Sequence, residues 1–200
     1  MKILLYGGTF DPPHWGHINN LRAAMQAVQP DKVIVMPAGI PPHKAASTTP
    51  GLLRLKMCEC FLQLGGQVEL SDWEIKHEGK SYTVNTLRML HESYPQAQLY
   101  LTVGSDMLTS FCTWHEWGKI LQLAVLVVES REEHDAAQLA EFANMLQKKG
   151  GRILFAQAKP LPMSSSQIRQ GKAGAEAVPQ NVWQVICEEK LYHDKGENKT

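Results

Sequence analysis

The chain has no net charge to offer a polyanion: twenty lysines and arginines balance twenty aspartates and glutamates over 200 residues, and the pI is about 7.1. No global field therefore draws it to nucleic acid or to an anionic membrane. Long hydrophobic runs are missing as well. The longest, LAVLVV from Leu123 to Val128, is far short of the ~20 residues that cross a bilayer. The opening MKILLY lacks the ~7–15-residue apolar core of a signal peptide, so it reads as the first strand of a cytoplasmic protein. Cysteine is scarce. Cys58 and Cys60 lie in a stretch of helical character, Cys112 and Cys187 stand alone, and no second close pair completes a four-ligand zinc site. The four read as reduced, partly buried thiols. There is no internal repeat and no low-complexity linker. Neither G-x-x-x-x-G-K-[ST] nor G-x-G-x-x-G is present, and no pair of carboxylates suggests a dedicated metal cage.

What is present is ordinary globular material, 44% hydrophobic and 20% charged, enough for one domain with a sizeable core. Short aliphatic runs at Ile3–Tyr6, Lys32–Met36, Val68–Ile75, Gln98–Val103, Val125–Val128 and Arg152–Phe155 read as strands. Helical periodicity fills Gly16–Val28, Pro50–Leu64, Thr83–Ser93 and Asp135–Lys149. This alternation predicts an α/β fold: a Rossmann-like open, mostly parallel sheet with helices on both faces. Residues 1–193 form a single domain in this reading, and the polar tail 194–200 (DKGENKT) lies outside it as a disordered end. Right-handed crossovers bring the carboxyl ends of the strands to one edge, where open sheets bind ligands. The chain's unusual segments all follow strands, and so share that edge.

The first of them is GGTFDPPHWGH, Gly7 to His17. A strand, a double glycine and the start of a helix make a phosphate site: glycines allow close approach, and a helix N-terminus offers free N–H groups with partial positive charge. His14 and His17, three apart, are neighbours on one helix face, and imidazole donors over a phosphate would stabilise charge during phosphoryl or nucleotidyl transfer. Against this stands a bland reading, in which the histidines only cap the helix. Two of them at this spacing after a double glycine favour the functional one. Trp15 between them is expected to pack.

Three later segments bear on the same edge. In PAGIPPHK (Pro37–Lys44), His43 and Lys44 could clamp a triphosphate, although composition alone favours a solvated Pro-rich loop. In KPLPMSSSQIR (Lys159–Arg169), serine hydroxyls, helix N–H groups and the Arg169 guanidinium could converge on one anion, or the serines could simply cap. In VGSDM (Val103–Met107), Asp106 could accept hydrogen bonds from ribose hydroxyls or cap the next turn.

Gly8-Thr9-Phe10-Asp11-Pro12 followed by His14-Trp15-Gly16-His17 resembles the G-x-F-D-P…H-x-G-H signature of the nucleotidyltransferase superfamily. The full string is similar to its nicotinate mononucleotide adenylyltransferase branch, and the likeness runs from Lys2 to about Tyr192. The resemblance implies His17 and His14 as catalytic donors to the transferring phosphate. It implies an ATP site of Gly8, Thr9, Phe10, His14, His17, His43, Lys44, Gly104, Asp106, Ser165, Ser166 and Arg169. Here Met163 and Ser166 depart conservatively from the family's I-S-S-T-x-I-R. GKSYTVNTL and FCTWHEW resemble the segments that hold the nicotinate nucleotide, through Thr83, Trp114 and His115. Arg131 matches a further family position, but Glu132 and Glu133 replace the usual proline and glycine, which weakens it as a contact. Mg²⁺ is implied as the companion of ATP, held by phosphate oxygens and water rather than by a protein metal site. The implied reaction is adenylyl transfer from ATP to nicotinate mononucleotide. Nicotinamide mononucleotide or phosphopantetheine as acceptor, and a nucleotide-binding module without turnover, are the alternatives. A homo-oligomer stays open.

Overall fold

The computed structural model describes residues 1–41, 49–129, 136–159 and 161–192. The expectations for His43, Lys44, Arg131 and the tail 194–200 fall outside the described residues.

Six strands form one sheet, β1 (Lys2–Gly8), β2 (Lys32–Pro37), β3 (Val68–Leu70), β4 (Gln98–Gly104), β5 (Ala124–Glu129) and β6 (Ile153–Ala156), in the order β3-β2-β1-β4-β5-β6. Every pairing is parallel, which goes beyond the mostly parallel sheet expected. The order reverses between β1 and β4, so the crevice beyond their carboxyl ends is the topological switch point where such sheets bind ligands. Gly8 pairs with Pro37 at the end of β1, and the segment after it opens straight into that crevice.

Alternation along the strands divides the core. Leu4, Tyr6, Val33 and Val35 pack on one face against α1 (Trp15–Val28), α2 (Gly51–Cys58) and α9 (Gln180–Glu188). Ile3, Leu5, Ile34 and Met36 pack on the other against α4 (Thr83–Ser93), α6 (Trp117–Leu123) and α7 (Ala136–Lys148). Strands buried on both faces need near-continuous apolar sequence, which is why they were readable. Helix α9 carries Val182, Val185 and Ile186 on its buried side, spacing of helical period that the strand-and-helix reading passed over.

Two predicted elements divide. The expected strand Val68–Ile75 stops at Leu70, and α3 (Trp73–Lys76) follows. The Ser71 hydroxyl accepts a hydrogen bond from Trp73 N–H, and Asp72 pairs with Lys76 at 2.6 Å, local polar bonds that favour a helical turn over a further strand residue. The expected helix Pro50–Leu64 is α2 followed by a 3₁₀ stretch, Glu59–Leu64. It ends at Gly65, whose φ of 145° suits glycine.

All four cysteines are free; Cys58 and Cys60 are buried, Cys112 and Cys187 exposed. Burial pushes the Cys60 thiol up to about 12, against about 8.5 in an unfolded chain. Because the folded value is raised, this contribution is complete below the unfolded pKa and is lost as pH climbs toward the folded one. Stability therefore falls between about pH 8.5 and 12, by up to ~1.4 kcal/mol per pH unit from this group. Denaturant titrations at about pH 8 and about pH 10 check it: Cys60→Ala should show a shallower loss than the parent, and parallel losses would refute the assignment.

Candidate active site

The double glycine belongs to the strand rather than to the turn. The left-handed residue in the turn is Phe10, with φ of 49°, a costly conformation for an aromatic residue. Its ring is held in the core by Tyr6 at 5.4 Å, Phe61 at 5.3 Å and His17 at 5.3 Å between centroids. Gly8 is small because this ring lies on it: a Cβ there would sit 2.8 Å from the Phe10 ring. Gly7, by contrast, has open space around its Cα, the room for close approach that the sequence suggested.

His14 is the N-cap of α1 and is buried, with His17 half-buried one turn on. The two imidazoles lie 3.7 Å apart between centroids. His17 Nδ1 accepts a hydrogen bond from the His14 backbone N–H at 3.2 Å, as in a capping box. Capping and charge stabilisation are thus compatible. With Nδ1 serving as acceptor, the neutral His17 ring carries its proton on Nε2, the nitrogen then able to donate to a phosphate oxygen. Gly16 is required by the pair, since a Cβ there would lie 2.9 Å from the His14 ring. Trp15, expected to pack, is instead 37% exposed, because its position at the start of α1 faces away from the core that Gly16 and Ile18 line.

Side chains from distant segments take up the carbonyls of this loop. In α8 (Ser165–Arg169), the Ser165 hydroxyl donates to Pro12 O at 2.8 Å and Arg169 Nη1 to Asp11 O at 2.6 Å. Arg169 Nη2 also reaches Ser166 Oγ at 3.1 Å. The structure therefore brings Ser165 and Arg169 onto the opening loop, with Ser166 bonded to Arg169. Ser164, at the N-cap, forms a capping box with Gln167.

Two residues absent from the sequence reading complete the frame. Arg54 of α2 is buried and donates to Thr9 O at 2.8 Å. Burial pulls its guanidinium down from the ordinary value, and the charge of Asp11 is the largest influence holding it up. Tyr192 donates to Asp11 Oδ1 at 2.6 Å. Burial, and then this bond, push its phenol far above the usual range.

Gly104 caps α5 (Ser105–Thr109) at the end of β4, beside the switch point, and Asp106 is exposed in the first turn. Thr83 opens α4 and His115 lies against Tyr82, 4.4 Å between ring centroids. Trp114 packs on Phe111 at 5.2 Å. Arg88 and Glu116 form an ion pair that ties these segments together. Ser81 links them to the end of β2, accepting from Gly39 N–H at 2.9 Å. Burial pushes the Glu74 carboxyl up, against hydrogen bonds from Thr86 and Ser81 that pull it down. Among the described residues, no group of three or more His, Cys, Asp or Glu side chains could hold a metal ion, and no helix is long and apolar enough to cross a membrane.

The geometry gathers two imidazoles, a helix N-terminus and a braced loop at the sheet's switch point, an arrangement suited to charge developing on a phosphate. Residues 5–171 match the family model described as cytidylyltransferase-like. A curated relative from Acidithiobacillus ferrooxidans, named a probable nicotinate-nucleotide adenylyltransferase, is 35% identical over 95% of both chains. Another of that name from Shewanella pealeana is 34% identical over 100% of both. A solved Plasmodium falciparum nicotinic acid mononucleotide adenylyltransferase, complexed with NaAD, shares the fold at a TM-score of 0.75. It is 20% identical, with 96% of this chain and 97% of that one covered. The chain thus belongs to the cytidylyltransferase-like family and, within it, to the nicotinate-nucleotide adenylyltransferases.

Proposed function

We propose that His14 and His17 stabilise a direct, in-line transfer of the adenylyl group of ATP to nicotinate mononucleotide, giving nicotinate adenine dinucleotide and pyrophosphate in NAD biosynthesis. The observation that carries this reading is the imidazole pair, 3.7 Å apart at the N-terminus of α1, over the switch point of the sheet. The nucleophile is already an anionic phosphate, so no enzyme base is needed, and catalysis reduces to positioning and charge stabilisation. His17 Nε2 donates to the transferring phosphate and His14 supports it. The N–H groups of the first turn of α1 add partial positive charge, with no acidic residue in that turn to oppose them.

Gly8, Thr9 and Phe10 shape the floor of the ATP site, and Gly104 and Asp106 take the ribose. Ser165, Ser166 and Arg169 line the phosphate side. Arg169 would exchange its bond to Asp11 O for a phosphate oxygen, or use both. His43 and Lys44 are assigned to the triphosphate on sequence likeness. On the acceptor side, Thr83, Trp114 and His115 receive the nicotinate nucleotide, with Arg131 as a further contact. A divalent cation, Mg²⁺ in this reading, travels with ATP and offsets phosphate charge; its natural ligands are phosphate oxygens and water.

The test is acceptor dependence. Pyrophosphate release from ATP should require nicotinate mononucleotide and match the dinucleotide formed mole for mole. ATP binding without release would instead mean a binding module.

A further inference from the structure

The buried Arg54 is explained neither by the proposed chemistry nor by packing. Its guanidinium is sequestered from water, 3% exposed as a residue, where an apolar side chain of like volume would hold α2 to the sheet without the desolvation of a charge. Its hydrogen bonds go to backbone carbonyls of three separate segments. Nη1 donates to Thr9 O at 2.8 Å, Nε to Thr49 O at 3.3 Å, and Nη2 reaches Gly39 O at 3.5 Å, the outer limit of such a bond. Thr9 precedes the left-handed Phe10 of the opening loop. Gly39 leaves β2, and Thr49 returns the chain to α2. We infer that Arg54 is a positioning residue for adenylyl transfer, one planar fork that fixes the opening loop relative to both ends of the loop between β2 and α2.

The chemistry of guanidinium explains the choice. Its five N–H donors lie in a rigid plane and can meet several acceptors at once. A lysine ammonium would keep the charge but is a point donor on a flexible stem. Gly39 itself is confined, since a Cβ there would fall 2.1 Å from Glu74 O, so this end of the fork is anchored on its other side. Asp11, whose charge acts on Arg54 through space, lies between Phe10 and the carbonyl that receives Ser165. Arg54 acts on the same loop that carries His14, from the side opposite in sequence to α8.

The inference rests on the adenylyl-transfer reading, and parent activity in the same assay tests that reading separately. Arg54→Lys, measured as folded protein, should lose about 10²-fold in kcat/KM for ATP, with the loss in kcat rather than in KM for ATP, because the fork orients the opening loop and does not itself touch substrate. Met57→Val, a buried change on the same helix, should lower the melting temperature and leave kcat near the parent's. Arg54→Gln, which keeps one planar amide, is measured if the lysine variant does not fold, and should show the same split. Parent-like kcat/KM for ATP in a folded Arg54 variant would overturn the inference. So would equal losses in Met57→Val, since they would reduce Arg54 to general stability.

Discussion

Replacing His17 with alanine should lower turnover by about 10²–10³-fold in a protein that still folds. The ring is held on three sides. Phe10 meets it edge-on at 5.3 Å, His14 lies 3.7 Å away, and its Nδ1 accepts the His14 amide. That last bond sets the tautomer, so the donor lost on substitution is one already oriented toward phosphate chemistry. The same bond also caps α1, and its loss costs roughly 0.5–2 kcal/mol of stability. This is a small effect beside the barrier, since 10³-fold in rate corresponds to about 4 kcal/mol. Measuring kcat and the melting temperature together separates the two. A folded His17→Ala protein with near-parent turnover would leave the histidine as a cap and nothing more.

Gly16→Ala should lower activity without touching either imidazole's own chemistry. Alanine is the better helix former by about 1 kcal/mol, and Gly16 is not among the positive-φ glycines, so its backbone would accept a side chain. The obstacle is local. The added methyl would stand 2.9 Å from Cε1 and Nδ1 of His14 and 3.5 Å from Met163 Cγ. The imidazole has to yield, because it is the movable neighbour. A displacement approaching 1 Å at this ring costs about 10²-fold in rate, and that is the expected loss, with stability within about 1–2 kcal/mol of the parent because the helix gain and the crowding of a buried ring oppose each other. Parent-like turnover would show that the His14 ring need not stay where it is.

The strands were legible because a sheet buried on both faces demands apolar runs, and β1, β2, β4 and β5 carry them. The histidine and glycine pattern of the opening loop was legible for a different reason: it is written in side chains, or in the lack of one. The reason for Gly8 was not, since it depends on a Phe10 ring folding back over it, a contact that periodicity does not contain. Arg54 and Tyr192 were invisible on the same ground. Arg54 serves backbone carbonyls, which every residue has, and so leaves no matching pattern at Thr9, Gly39 or Thr49. Tyr192 meets Asp11 from 181 positions away in the chain. Ser165 and Arg169 stand out in the sequence as an anion-site pattern, but the loop carbonyls they hold cannot be read from spacing. The short helices α3 and α5 lie below the length at which a 3.6-residue period shows itself.

The acceptor decides between this enzyme and its relatives in chemistry. The most direct measurement is kcat/KM for nicotinate mononucleotide, nicotinamide mononucleotide and phosphopantetheine, each with ATP and a divalent cation in one assay of pyrophosphate release. Family membership predicts nicotinate mononucleotide as the preferred acceptor, with nicotinate adenine dinucleotide as product. A clear preference for either of the other two, or release independent of all three, would contradict the account.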